Sequence, residues 1–339
     1  MKIVFVHFGS SIPTYLKNNI RRVLDFFPDY EVTLLTDSAI EIPELDAVVN
    51  VSQISQDSRY SRINEGLNHP KEFRNNFWFT SLARIVAICD YSIATGEDLL
   101  HIESDVLLAK DFPLELFKTL DRPISYTILG ERRAVASTFF LKSGGAAKLL
   151  LKFIEDSVHD NPNTTDMKIL GDFQQEFPGV VRVLASFPPE ATISFSKLSD
   201  SLQDDFIYSL KLFGGYFDAA DIGQYLLGDD PRNHRGVKYM RKELETSFFK
   251  PSTVQFEFNE NREFIDVQNS VGRKVYSLHI HSKDLATFKR RSTNRRLRKS
   301  VLSQNQPESH KFLIRVFVTS VMYSILRRSK AFARRLRGE

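Results

Sequence analysis

Gly96-Glu97-Asp98-Leu99-Leu100-His101-Ile102-Glu103-Ser104-Asp105-Val106-Leu107-Leu108 is the stretch on which the reading of this chain turns. Leu99, Leu100 and Ile102 form a short apolar run suited to a buried strand. The run ends in two carboxylates, Glu103 and Asp105, one small residue apart, and the apolar character resumes at Val106. Two carboxylates beside a core strand are costly to desolvate unless positive charge compensates them. A hard divalent cation with oxygen ligands is one such partner. In open α/β sheets ligands gather outside the carboxyl ends of strands, where this pair would lie. The bland alternative is a solvated acidic turn.

The chain before this stretch supports an α/β reading. Residues 2–6 read as a strand, His7 to Ser11 as a loop with Gly9 in it, and Pro13 to Phe27 as a helix closed by Pro28. Glu31 to Thr36 reads as a second strand ending at Asp37. This order resembles a nucleotide-binding half-sheet, although no GxGxxG is present. Val48 to Val51 reads as a short strand, Ser52 to Arg74 as a polar loop, and Asn76 to Tyr91 as an apolar helix interrupted by Arg84. Further on, the pattern predicts helices at 113–120, 144–157, 165–173 and 219–227. It predicts strands at 124–129, 137–141 and 180–184, a hairpin from 254 to 267, and a last strand at 275–280.

That last strand carries the second constellation, Ser277-Leu278-His279-Ile280-His281-Ser282-Lys283. Period-two alternation puts His279 and His281 on one face. A neutral imidazole can ligate a cation, and a nearby lysine can hold phosphate as a point charge. His281, nearer the strand end, is the preferred ligand and His279 the alternative. An edge strand with two outward polar residues is the competing account.

Single residues add to this. Arg84, among apolar neighbours, needs an anionic partner: substrate phosphate, the acid pair, or a structural ion pair with Asp90 or Glu97. Asp218 and Asp166 each stand where a helix begins, so capping competes with a catalytic role. Gly223 inside a helix costs ~1 kcal/mol relative to Ala and hints at close approach by a chain or ligand.

Taken in order, the pieces resemble a GT-A-fold glycosyltransferase over about residues 2–283. They are the strand-loop Ile3 to Ser11, the Leu34-Leu35-Thr36-Asp37 strand end, the helix with Arg84, "LLHIESDVLL", "STFFLKSGGAAKLLLKFI", "TTDMKIL", "GGYFDAADIGQYLLGDDPRN" and "LHIHSK". The likeness is greatest to the glycogenin and bacterial lipooligosaccharide galactosyltransferase group. It implies a Rossmann-like mixed sheet flanked by helices, and Mn2+ or Mg2+ held by Glu103, Asp105 and His281. A nucleotide-sugar donor, UDP-linked by preference, would lie on Phe8, Gly9, Asp37, Arg84, Ser104 and Lys283. Asp218 and Asp166 would be the catalytic carboxylates, and Asp221 and Gln224 would contact the acceptor. The implied activity is hexosyl transfer to a glycan or lipid-linked acceptor in surface polysaccharide synthesis, leaning toward retention. Glu103 stands where the family has an Asp, and "TTDMKIL" lacks the family's Asp-Gln-Asp run. A catalytically silent binding or scaffold protein of the same fold is the alternative.

Composition sets the surroundings. The 339 residues are 42% hydrophobic and 26% charged, an ordinary globular balance. Cys89, the single cysteine, lies in an apolar helical pattern and reads as core. The first residues enter a strand directly, so no secretion signal is expected. From Lys289 to Glu339 there are 15 Lys and Arg against 2 Asp and Glu, while the rest is net acidic. We therefore divide the chain into a catalytic-looking body, 1–284, and a basic helical tail, 285–339. Phe312 to Leu326 is shorter than the ~20 residues of a spanning helix. Its polar stripe suits a helix lying on anionic lipid. The expected location is cytoplasmic, peripheral to the inner face of the membrane, with nucleic acid disfavoured as a partner.

Overall fold

A computed structural model describes residues 1–55, 57–230, 247–258, 267–269 and 272–283. The basic tail and the tip of the expected hairpin therefore lie outside the described residues. The strands are β1 (Lys2–His7), β2 (Val32–Thr36), β3 (Ala47–Asn50), β4 (Leu99–Ile102), β5 (Val106–Leu108), β6 (Ile124–Gly130), β7 (Arg133–Leu141), β8 (Val181–Leu184), β9 (Gly215–Phe217), β10 (Phe256–Phe258), β11 (Val267–Asn269) and β12 (Lys274–His279). The helices are α1 (Thr14–Phe26), α2 (Asp57–Gly66), α3 (Phe77–Thr95), α4 (Leu114–Phe117), α5 (Gly145–Asp160), α6 (Asp166–Glu176), α7 (Thr192–Phe195), α8 (Asp200–Phe213) and α9 (Asp221–Leu227).

The larger sheet has seven strands in the order β3-β2-β1-β4-β7-β6-β8. β1 runs parallel to β2 and β4, whereas β7 is antiparallel to both β4 and β6. This is the mixed α/β sheet flanked by helices that the sequence led us to expect. Its strands are apolar on both faces because helices cover both. Alternation sorts the side chains: Ile3 and Phe5 of β1 enter one core, Val4 and Val6 the other. Leu99 and Leu100 divide in the same way, as do Phe139 and Phe140. α3 is long and apolar enough to cross a membrane, but it packs in the core that Val4 and Val6 enter, with Leu82, Ile85, Val86 and Ile88 about 1% exposed or less. Cys89 is buried there too, as expected.

The smaller sheet joins β5, which follows the acidic turn, to β9–β12 of the later chain. β12 lies antiparallel to β5, with His279 opposite Val106, and parallel to β9. This pairing brings the histidine segment against the acidic one. Three helices, α2, the four-residue α7 and α8, lie where the sequence reading placed none. α2 lies inside the stretch expected to be a polar loop, and α8 was not anticipated. The hairpin is present as β10 against β11, displaced toward Asn269.

Candidate functional site

β4 ends at Ile102, and the ladder continues one residue further through Glu103 N–H to the Ser137 carbonyl at 3.1 Å. A turn follows, closed by Val106 N–H donating to the Glu103 carbonyl at 3.0 Å. Asn19 of α1, fully buried, pins this turn: its amide donates to the carbonyls of Ser104 (3.2 Å) and Val106 (2.8 Å). Ile280 N–H donates to the Asp105 carbonyl at 2.8 Å, so the last strand is stitched to the same turn.

The two carboxylates are almost fully buried and meet one imidazole. His279 Nε2 lies 3.2 Å from Glu103 Oε2 and 3.5 Å from Asp105 Oδ1. Its Nδ1 is 2.7 Å from the Ala219 carbonyl oxygen. A carbonyl only accepts, so Nδ1 carries a proton, and in the neutral ring Nε2 presents its lone pair to the carboxylates. One ligand atom from each of Glu103, Asp105 and His279 lies within 4.8 Å of the others. Two carboxylates and an imidazole fit a hard or borderline divalent cation, and a carbonyl-anchored imidazole is the usual support for such a ligand.

Flanking charges complete the electrostatics. Arg84 Nη2 is 2.7 Å from Glu103 Oε1, and Lys283 Nζ is 3.4 Å from Asp105 Oδ2. Burial alone would raise both acid pKa values, but Arg84 and then His279 pull Glu103 below its ordinary value. Lys283 and His279 pull Asp105 well below its own. For His279, burial is outweighed by Asp105 and Glu103, which push its pKa up to about 9. His281 goes the other way, down to about 3, through burial and the neighbouring His279 charge. Asp166 is raised by burial, only partly offset by Arg84.

The cluster opens into a cavity of about 350 Å³ whose wall includes Phe8, Tyr15, Arg84, Ser104, Asp166, His281 and Lys283. A second cavity, about 800 Å³, adjoins it and is lined by Gly9, Asp37, Asn50, Tyr60 and Phe79 among others. The two share His7, Phe8, Tyr15, Arg74, Phe77 and Thr80. Asp37 Oδ1 accepts from Gly9 N–H at 2.8 Å, tying the first loop to the end of β2.

Four of the expected assignments change. The imidazole that reaches both carboxylates is that of His279, not His281. β12 pairs with β5 through His279, and the chain then turns, leaving His281 stacked on His279 with ring centroids 4.2 Å apart. Asp218 is fully buried and lines neither cavity. Its carboxylate accepts from the backbone N–H groups of Ile222 (2.9 Å), Gly223 (2.6 Å) and His279 (2.9 Å), so it joins α9 to β12 rather than meeting a substrate. Asp221 and Gln224 also line neither cavity. Asp221 accepts from the Ser247 hydroxyl at 2.7 Å, and Gln224 is 1% exposed. The hint at Gly223 resolves in favour of a chain: a Cβ there would sit 2.2 Å from the His279 carbonyl oxygen.

Arg74 and Asn19 went unnoticed in the sequence. Arg74 begins three consecutive residues with positive φ, Arg74, Asn75 and Asn76. Its guanidinium lies over the Phe73 and Phe77 rings, and Nη1 is 3.4 Å from Asp230 Oδ2. The paired asparagines, which tolerate the left-handed region, were the available signal. Asn19 in the middle of an amphipathic helix gave none.

No family model matches the chain, and no curated protein does. Solved structures similar to it include a galactosyltransferase LgtC in complex with donor and acceptor sugar analogs, at 17% identity and TM-score 0.39, covering 60% of this chain and 82% of that one. Mouse xyloside xylosyltransferase 1, apo form, follows at 10% identity and TM-score 0.38, covering 60% and 93%. A glycosyltransferase involved in glycosylation of the major capsid of PBCV-1 stands at 14% and 0.32, covering 56% and 82%. At these TM-scores the likeness assigns no role to any residue here.

Proposed function

We propose that the protein is a metal-dependent glycosyltransferase that moves a sugar from a nucleotide-sugar to a hydroxyl of a glycan or lipid-linked acceptor. The observation that carries this reading is the convergence of Glu103, Asp105 and His279, with Arg84 and Lys283 on either side, in the wall of the smaller of two adjoining cavities. The β1–α1–β2 half-sheet borders one part, with Gly9 and Asp37 suited to a nucleoside. β6, β7 and the start of α6 border the other. The charged cluster lines the smaller cavity, which shares His7, Phe8, Tyr15, Arg74, Phe77 and Thr80 with the larger, and a diphosphate there would bridge nucleoside and sugar.

Breaking the anomeric C–O bond leaves negative charge on the departing nucleoside diphosphate. Glu103, Asp105 and His279 would hold Mn2+ or Mg2+, which would supply Lewis-acid stabilisation of that charge. Arg84 and Lys283 bring fixed positive charge to the same place, where it costs no reorganisation during reaction. Asp166, half-buried in the cavity wall, binds sugar hydroxyls. Its raised pKa also suits it to proton transfer should the outcome be inversion. A UDP-linked hexose as donor, retention of configuration and a place in surface polysaccharide synthesis are part of the proposal. So is attachment of the basic 285–339 segment to the cytoplasmic face of an anionic membrane, a reading supported by its charge and polar stripe.

Titration calorimetry tests the core of this. UDP is expected to bind in the presence of Mn2+ and not in its absence, and Asp105→Asn is expected to abolish the metal-dependent part. A wild-type chain that binds no nucleoside diphosphate with any divalent cation would instead favour a silent scaffold.

A further inference from the structure

The cavity wall beyond the carboxylate pair has a distinct chemistry. Leu129 of β6, Val135 of β7, Ala220 and Met167 of α6 all line the smaller cavity and pack against one another as a separate apolar patch. None of them borders the larger cavity. Since β1 and β2 lie on one side of β4 and β7 and β6 on the other, this patch faces the half of the site opposite the nucleoside. It is the place where, on the reading above, the transferred sugar sits.

The patch offers a sugar hydroxyl little. Its side chains carry no strong hydrogen-bonding atoms. The backbone carbonyls beneath it already accept hydrogen bonds: Leu129 from Phe248 N–H (3.2 Å), Ala220 from Gln224 N–H (3.2 Å), and Val135 from the Thr127 hydroxyl (3.1 Å). The neighbouring Ala219 carbonyl is taken by His279 Nδ1 at 2.7 Å. Polar groups stand at its edge, in the Asp166 carboxylate and the Arg133 guanidinium, whose Nη2 lies 3.7 Å from Met167 Sδ. A plain hexose turns a hydroxyl outward from nearly every ring carbon, and one pressed on this patch would lose water without a replacement partner. A methyl group in the same place gains from burial.

We propose that the transferred sugar carries a substituent whose terminal methyl seats on Leu129, Val135, Met167 and Ala220. The methyl of an acetamido group and a 6-deoxy carbon share this chemistry. Asp166 and Arg133 hold the remaining hydroxyls. The inference rests on the transferase reading.

Matched donors test it by calorimetry with Mn2+ and the full chain: UDP-galactose against UDP-N-acetylgalactosamine, and dTDP-galactose against dTDP-6-deoxygalactose. UDP alone is titrated first. At least one substituted sugar is expected to bind tenfold or more tightly than its parent, about 1.4 kcal/mol. The pair that shows the preference distinguishes acetamido from 6-deoxy. Met167→Gln, at a half-buried helix position, and Val135→Thr, nearly isosteric, are expected to shrink that ratio to within about threefold. Equal affinity for parent and substituted sugars, with UDP still bound, overturns this inference alone. Failure of UDP itself to bind overturns the transferase reading and this inference with it. A preference that survives both substitutions overturns the assignment to this patch.

Discussion

Gly223 and His279 meet backbone to backbone, so closely that a Cβ on the glycine would lie 2.2 Å from the histidine's carbonyl oxygen. In most helices Gly→Ala stabilises by ~1 kcal/mol, but only where the methyl has room. Here the obstacle is main chain, which cannot swing aside as a side chain can. Gly223→Ala is therefore expected to destabilise by about 1–3 kcal/mol through overpacking. It is also expected to displace the His279 imidazole, which reaches both carboxylates. Denaturant unfolding and Mn2+ titration should change together. A variant of normal stability with normal metal affinity would contradict the packing argument.

Asp218 is the second tie between α9 and β12. Oδ2 takes the N–H groups of both Gly223 and His279, and Oδ1 takes that of Ile222. Asn offers one acceptor oxygen and turns an NH2 toward donors, leaving at least one buried N–H unpaired. Asp218→Asn is expected to cost about 2–3 kcal/mol of stability, in the range for hydrogen bonds to a charged group. A catalytic base would show the opposite pattern, lost turnover at unchanged stability. Urea unfolding measured beside turnover separates the two.

Much of this arrangement is readable from residue types, and the unreadable part has definite causes. The run from Leu99 to Leu108 announces itself because apolar side chains stop abruptly at two acids. Period two places His279 and His281 on one face but cannot choose between them. The choice depends on where β12 stops pairing with β5, a long-range register invisible in the local pattern. α2 was missed because its sequence, DSRYSRINEG, has low hydrophobicity, and it is held partly through Arg59, which reaches Asp90 at 2.6 Å and Glu155 at 3.0 Å. Asp218, Asp221 and Gln224 looked like site residues because they are polar and close to glycines. The Asp218 carboxylate turns out to accept from backbone N–H groups and Asp221 from the Ser247 hydroxyl, while Gln224 is buried.

The histidine also sets a pH dependence. In the metal-free protein Asp105 and Glu103 overcome burial and raise the His279 pKa from 6.5 to about 9. A raised folded-state value means that the stabilisation is fully present below about pH 6.5 and is lost as pH rises through about 9. The melting temperature of the metal-free chain is expected to fall across that window. Metal binding needs the neutral ring, so a proton must leave Nε2. Mg2+ affinity is therefore expected to rise about tenfold per pH unit from 7 toward 9 and then level off. Calorimetry in two buffers of different ionisation heat should find one proton released per ion. No proton release at pH 7 would mean that His279 is not a ligand.

Arg84 competes with a cation for Glu103 while favouring an anionic donor. Its Nη2 lies 2.7 Å from Glu103 Oε1, and its charge also acts on Asp105 and Asp166. Replacing it by Gln removes a positive charge from beside the ligand cluster. Mn2+ alone is then expected to bind severalfold more tightly, whereas UDP in saturating Mn2+ binds at least tenfold more weakly. A purely structural arginine would lower both affinities in parallel, so the opposed signs are the diagnostic result.

Lys283 combines a charge with an unfavourable backbone. Its φ is 42°, in the left-handed region, and its ammonium is 3.4 Å from Asp105 Oδ2. The left-handed conformation costs a non-glycine residue about 1–2 kcal/mol. Lys283→Ala removes the charge and keeps the strain, whereas Lys283→Gly removes both. Each is expected to weaken UDP binding in Mn2+ by tenfold or more, since both lose the cation that faces the diphosphate. The glycine variant should nonetheless be the more stable of the two, by about 1 kcal/mol. Because the missing ammonium is common to both, the stability difference isolates the backbone, and the shared loss of affinity isolates the charge. If Lys283→Ala binds UDP as the wild type does, the lysine serves only to neutralise Asp105, and the diphosphate must find its positive charge at Arg84 and the metal alone.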